Sequence, residues 1–351
     1  MTDQAPKPHV RRTRYAGTHP RAFHEKYKEL NPDRYADDVA KVVAAGKTPA
    51  GMHRPVMVRE ILERLAPLPG NCAVDCTLGY GGHAKALLDA VLPGGRLLAL
   101  DVDPLELPKS EARLRARGIP DDALVVRRSN FAGLVRQLAE DGLPPADVLL
   151  ADLGLSSMQL DDPARGFSYK RPGPLDLRMN PQRGQPASAL LASLTAPRLT
   201  RLLDLHADQP DAEALAHHLM ATQAESPILT TTALADAVRE ALSTRRGRDA
   251  DEELDLSIRR VFQALRIEVN DEFGALDTFL RNLPDCVAPG GRIAILTFHS
   301  GEDRRVKQAF KAGLEAGVYS TIAGDVERAS PDERQSNPRS SAAKLRWAIR
   351  T

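Results

Sequence analysis

Short, continuously apolar runs alternate with stretches of helical period along most of this chain. Cys-Ala-Val-Asp-Cys at 72–76, RLLALDVD at 96–103, ALVVRRS at 123–129, ADVLLADLG at 146–154 and GRIAILTFH at 291–299 are runs of the kind that fill a parallel sheet covered on both faces. Between them HAKALLDAV (83–91) and FAGLVRQLAED (131–141) carry helical spacing. Ahead of the first run, HRPVMVREILERLAPL (53–68) places Val56, Val58, Ile61, Leu62 and Leu65 on a helix entered after Pro55. Strand and helix in alternation predict a doubly wound, mostly parallel α/β sheet, with ligands bound beyond the carboxyl ends of its strands.

The rhythm breaks between about residues 161 and 262. A loop, DDPARGFSYKRPGPLDLRMNPQRG (161–184), leads into Leu/Ala-rich helical patterns: PRLTRLLDL (197–205), DAEALAHHLMATQ (211–223) and TTTALADAVREALS (230–243). An all-helical insertion is expected here, with Thr230 to Thr232 capping a helix and STRRGRDADEE (243–253) as a solvated loop. The expected layout is an N-terminal extension over 1–50, a core domain formed by 51–160 and 263–351, and an insertion over 161–262.

Composition narrows the function classes. The 351 residues are 42% hydrophobic, enough for a sizeable core, and the three cysteines have no paired spacing that suggests a disulfide framework or a metal site. No apolar run approaches the roughly 18 residues of a membrane span. The first 50 residues carry ten Lys/Arg and six Asp/Glu and lack a signal-peptide core, so they are expected to be retained and the protein to be cytoplasmic. A net charge of +1 means that any nucleic-acid binding must come from local patches.

The first strand runs into DCTLGYGGHAKALL (75–88). Gly79, Gly81 and Ala84 satisfy G-x-G-x-x-A between a strand and a helix, which admits a dinucleotide. Asp75, immediately before the glycines, would repel a pyrophosphate but suits the cationic amino group of a methionyl tail. Asp101 closes the second strand, where a carboxylate can accept from two ribose hydroxyls. Together these favour S-adenosylmethionine (SAM) over NAD. The structural alternative is a plain glycine-rich turn with two capping aspartates. In the fourth segment, DLGLSSMQLDDPARGF (152–167), Ser156 and Ser157 do not form G-x-S-x-G, so no nucleophile elbow is expected. Asp152 is instead placed to accept from an amino group and aim its lone pair at a methyl donor, unless it merely caps the next helix.

HRPVMV, DCTLGYGGHAKALL, LALDVDP, ADLGLSSMQLDDPARGFSYKRPGPLDLRMN, RRVFQALRIEVNDE, APGGRIAILTFHSGEDRRVK and NPRSSAAKLRWAIR resemble, in order, the signature segments of the bacterial 16S ribosomal RNA cytosine-N4 methyltransferases, the RsmH or MraW family. The resemblance spans about residues 53–351. It implies a class I SAM-dependent methyltransferase fold, Rossmann-like, with a helical insertion. The substrate it implies is the N4 amine of a cytidine in small-subunit ribosomal RNA, free or in the particle, with no membrane and no metal. By motif, Gly81, Gly82, His83, Asp101, Phe131, Asp152 and Gln159 become cofactor contacts, beside Asp75 and Gly79 from the glycine turn.

Physical chemistry fits these roles. Phe131 follows the third strand and can pack on adenine, and His83 opens a helix whose free N–H groups favour a carboxylate. Arg165, Phe167, Tyr169, Lys170, Arg171 and Arg178 interleave cations with aromatics, a mixture suited to phosphates and an extruded base and equally to a solvated basic loop. His299, at the end of the last run, is a second catalytic candidate. The chain departs from the family pattern at His206 to Gln209, at Gly301 and ahead of Arg259, all near the insertion. The same chemistry on a different RNA is therefore one alternative, an NAD-dependent oxidoreductase another, and a catalytically idle RNA-binding factor a third. The extension over 1–50 is expected to be either an RNA arm or an amphipathic helix.

Overall fold

The structure is a computed structural model, and it describes residues 55–243 and 250–351. The extension over 1–50 and part of the expected 243–253 loop lie outside these residues. The described residues fall within one compact unit. In chain order its elements are α1 (Val58–Leu65), β1 (Cys72–Asp75), α2 (Gly82–Val91), β2 (Arg96–Asp101), α3 (Leu107–Arg115), β3 (Leu124–Arg128), α4 (Leu134–Glu140) and β4 (Ala146–Asp152). Helices then follow: α5 (Ser157–Asp161), α6 (Ala187–Ser193), α7 (Ala196–Ala207), α8 (Ala212–Glu225), α9 (Thr231–Ala241), α10 (Ala250–Asn270) and α11 (Glu272–Cys286). The chain closes with β5 (Val287–Thr297), α12 (Ser300–Glu315), β6 (Tyr319–Ile322), α13 (Pro331–Ser336) and β7 (Lys344–Arg350).

The strands form one sheet in the order β3-β2-β1-β4-β5-β7-β6. The first five pair in parallel, while β7 runs antiparallel to both β5 and β6. All five strands expected from the apolar runs are present. Their continuity reflects two cores: Leu97 and Ala99 of β2 face a cluster with Ile61, Leu87 and Leu88, whereas Leu98 and Leu100 face a cluster with Leu138, Phe279 and Phe310. β1 pairs with β2 on one side and β4 on the other, so the chain reverses its winding direction between β1 and β4. Such a switch point opens a crevice at the strand carboxyl ends.

Residues 187–270 are helical apart from short turns and the undescribed 244–249, and they enclose a third core that includes Leu191, Leu203, Leu219, Leu234 and Leu265. Thr230 caps α9 by accepting from the Ala233 N–H at 3.2 Å. Two expectations differ from the structure. The boundary at 262 falls inside α10, and Ala250–Glu253 form its first turn rather than a loop, with Asp251, Glu252 and Glu253 at the dipole-favoured end.

Candidate active site

At the switch point the glycine turn is pinned to the neighbouring strand. The N–H of Gly79 donates to Oδ2 of Asp101 at 2.7 Å, and Oδ1 of Asp101 accepts from the Asp103 N–H at 2.9 Å. Ser110 Oγ donates to the Gly79 carbonyl. Gly81 caps α2 at φ 88°, a left-handed conformation that favours glycine, while a Cβ at Gly82 would lie 2.9 Å from Pro55 Cγ. The two glycines are thus required for different reasons.

Two carboxylates flank the crevice. Asp75 is fully buried at the end of β1, and its Oδ1 accepts from the Thr77 N–H at 3.0 Å. Thr77 also ties in β4, because its Oγ1 accepts from the Asp152 N–H at 2.7 Å. Oδ2 of Asp75 and Oδ1 of Asp152 are buried without a hydrogen-bond partner. Burial raises Asp75 to about 6, against the opposing influence of His83. Burial and the nearby Glu302 carboxylate raise Asp152 to about 7. Two unpartnered acceptors in a low-dielectric crevice favour a cationic or N–H-donating ligand, which would restore their ionisation. SAM, with its ammonium and sulfonium charges, fits this donor set; a pyrophosphate does not.

His83 is committed within the protein. Its Nε2 lies 2.9 Å from the Val56 carbonyl and its Nδ1 lies 3.4 Å from Oδ2 of Asp152. Phe131 packs edge-on against Phe279 with ring centroids 5.2 Å apart and keeps part of its surface exposed. Gln159 completes a capping box with Ser156 on α5, and its Nε2 donates to Oδ2 of Asp103 at 2.9 Å. Its amide therefore has internal partners as well as a place beside the crevice.

The acceptor loop is mostly occupied with itself. Arg165 is buried and pairs with Asp103 at 2.6 Å, donating also to the carbonyls of Arg178 and Met179. Phe167 is buried in the helical core rather than presented for stacking. Tyr169 donates to Asp255 at 2.7 Å and packs on Phe262. Arg178 makes a bidentate pair with Asp176. Lys170 is exposed and Arg171 half-buried; the Lys170 charge acts on Asp255, and Tyr169 already donates to that carboxylate. Of the six residues, these two cations are the ones whose side chains are not tied down by a direct hydrogen bond or ion pair among the described residues.

His299 sits at the end of β5 and caps α12. Its Nδ1 accepts from the Glu302 N–H at 3.4 Å and its Nε2 faces Oε1 of Glu302 at 3.1 Å, so both nitrogens are turned to one residue. That arrangement leaves no free lone pair for a general base. Glu302 is itself buried, and Phe298 donates to its Oε2 at 2.8 Å. Burial raises its carboxyl, but His299, Arg266 and the Phe298 N–H together hold it below its usual value.

Asp103, Thr77 and Glu302 carry much of this geometry and escaped the sequence reading. Asp103 had a local signal: it precedes Pro104 and accepts from the Leu105 N–H at 2.9 Å, as an Asp before proline does in a turn. Glu302 had one too, since it stands three residues after His299 in a capping box; the bond of Thr77 to Asp152 spans 75 residues and had none.

A switch-point sheet with a terminal antiparallel strand, a glycine turn opening a helix, and acids ending β1, β2 and β4 define a class I SAM-dependent methyltransferase. The family model of the MraW methylase family matches residues 50–351, and the chain belongs to that family. It is 48% identical to Ribosomal RNA small subunit methyltransferase H 2 of Alkaliphilus metalliredigens, over 97% of each chain. It is 46% identical to Ribosomal RNA small subunit methyltransferase H 1 of Lachnoclostridium phytofermentans, over 97% of this chain and 93% of that one. With Ribosomal RNA small subunit methyltransferase H of Thermomicrobium roseum the identity is 40% over 85% of this chain and 93% of the relative. Family membership excludes the oxidoreductase reading. Among the described residues no helix is long and apolar enough to cross a membrane.

Proposed function

We propose that this chain transfers a methyl group from SAM to the exocyclic N4 amine of a cytidine in small-subunit ribosomal RNA, in the cytoplasm. The observation that carries the reading is the buried, unpartnered Oδ1 of Asp152 beside the equally unpartnered Oδ2 of Asp75 at the switch point. SAM, when bound, supplies an electrophilic methyl group on a sulfonium. Asp75, Asp101, the backbone of Gly79 to Gly82 and the exposed part of Phe131 are the groups of this chain that would hold it.

Asp152 does the acceptor chemistry. An exocyclic amine on an aromatic ring delocalises its lone pair, so it must be held with the lone pair aimed at the methyl carbon. A carboxylate oxygen accepting one N–H does this, and it also favours positive charge developing on nitrogen. Lys170 and Arg171 supply cations for the RNA backbone beside the crevice, and the helical insertion contributes the surrounding surface. The names of the relatives support the substrate class. Nucleoside mass spectrometry of small-subunit RNA from cells with and without the gene tests the reading: loss of an N4-methylated cytidine on deletion is expected, and an unchanged nucleoside profile would refute it. Repeating the transfer in vitro on free RNA and on small subunits identifies the form used.

A further inference from the structure

Asp152 does not stand alone. Its Oδ2 lies 3.4 Å from Nδ1 of His83, whose Nε2 lies 2.9 Å from the Val56 carbonyl. A carbonyl only accepts, so Nε2 carries a hydrogen and the tautomer is set by the backbone. In the neutral ring Nδ1 then directs a lone pair at a carboxylate oxygen. Two acceptors face each other there unless a proton lies between them. The titratable groups around the pair are Asp75 from β1, Glu302 from α12 and Glu333 from α13, with Asp101 acting on Asp75. All are acidic. Burial raises Asp152, and burial lowers His83 despite the opposing pull of Asp75, the Val56 carbonyl and Glu333. Both directions favour a carboxylic acid donating to a neutral imidazole.

We propose that His83 is a positioning residue whose Nδ1 shares one proton with Oδ2 of Asp152, so that the pair, rather than Asp152 alone, receives the proton leaving the methylated amine. The inference rests on the function proposed above. As the N4–C bond forms, the sulfonium S–C bond breaks with its electron pair on sulfur, and N4 becomes positively charged. An N4–H bond then breaks with its electrons returning to nitrogen, and the proton passes to Oδ1 of Asp152. The proton on Oδ2 moves to Nδ1, which leaves Asp152 neutral and His83 an imidazolium. Without Nδ1, a protonated Asp152 has nowhere to send its proton and cannot take another.

The test is single-turnover methylation of small-subunit RNA at saturating SAM across a range of pH, comparing the full-length protein with His83→Gln. Glutamine keeps an N–H for the Val56 carbonyl but removes the titratable atom that faces Asp152. The acid limb of the rate profile is expected to move up by about one pH unit or more, with a loss of roughly tenfold on the acid side and near recovery at alkaline pH. A uniform loss across pH, or a change confined to SAM affinity, overturns the proposal. Ring nitrogen NMR of the protein without SAM gives a readout independent of turnover. His83 should keep Nε2 protonated throughout, and Asp152→Asn should shift its Nδ1 titration; an unmoved titration overturns the pair. His83→Asn serves if the glutamine variant does not fold, with the same shift of the acid limb expected. Should the wild type methylate no ribosomal RNA, the proposed function fails, and the NMR measurement still decides whether the proton is shared.

Discussion

The glycine turn and the acceptor loop are both dense in chemistry-bearing residues, yet they use them in opposite ways. Around the turn, the Thr77 N–H satisfies one oxygen of Asp75 and His83 faces one oxygen of Asp152, which leaves Oδ2 of Asp75 and Oδ1 of Asp152 buried and unpaired. In the loop, three of the charged or aromatic groups are spent on internal partners: Arg165 on Asp103, Arg178 on Asp176 and Tyr169 on Asp255. Residue type alone does not separate a ligand contact from a scaffold contact. What separates them is whether a partner elsewhere in the chain already satisfies the group.

The comparison breaks most sharply at Arg165. If its guanidinium is scaffold, Arg165→Ala leaves the buried Asp103 carboxylate without its cationic partner and should cost about 3–5 kcal/mol of stability, read by urea denaturation. The loss should also reach the crevice, because Gln159 holds the same oxygen of Asp103. A variant of normal stability that binds RNA weakly would instead make Arg165 a phosphate contact.

Asp152→Asn tests the other side. Asparagine keeps an accepting oxygen and the shape but neither ionises nor takes a proton, so single-turnover methylation should fall on the order of a hundredfold, equivalent to about 3 kcal/mol. RNA affinity should hardly change. If the rate recovers fully at high SAM, Asp152 is a cofactor contact and not the group that orients the amine.

A smaller effect is expected at Asp101. Its two oxygens already accept from the N–H groups of Gly79 and Asp103, and burial raises its carboxyl despite both bonds. Asp101→Ala should weaken SAM binding by roughly 1.5–3 kcal/mol, the range for hydrogen bonds to a charged group. Calorimetry at constant pH measures this. Because the same substitution frees the glycine turn, Asp101→Asn sharpens the reading: recovered stability with weak binding assigns the loss to the ligand rather than to the turn.

How far the sequence reached follows the same division. The five parallel strands were legible because strands covered on both faces need unbroken apolar runs, and the acids at their ends could be located once the runs were found. β6 and β7 were not. β7 is antiparallel, and its pattern is interrupted by Lys344, Arg346 and Arg350, of which Arg346 is buried against Asp303 at 2.6 Å. Gly81 was legible because it falls in G-x-G-x-x-A between a strand and a helix, although its left-handed φ was not. The duties of Arg165 and Gln159 were not, since both depend on one partner, Asp103, whose position only the folded chain reveals, whereas His299 turns to Glu302 only three residues on. For Arg165 that partner is 62 residues away in sequence.

Lys170 and Arg171 carry the smallest effect and decide whether the acceptor loop keeps any binding role. They are the two cations of the loop's six predicted residues whose side chains have no direct hydrogen bond or ion pair among the described residues, and they lie next to Tyr169, which anchors the loop to α10 through Asp255, on which the Lys170 charge also acts. The anchor fixes where the cations stand, so replacing them should not disturb the fold. Each phosphate contact to a single strand contributes about 0.7 to the slope of log affinity against log salt. The double variant Lys170→Ala, Arg171→Ala should therefore flatten that slope by roughly 1.4 if both cations hold phosphates, while SAM affinity and thermal stability stay near wild type. A slope reduced by half that amount would assign the contact to one of them, and the single variants would identify which. An unaltered slope would leave the loop as scaffold throughout and shift RNA recognition to the helical insertion.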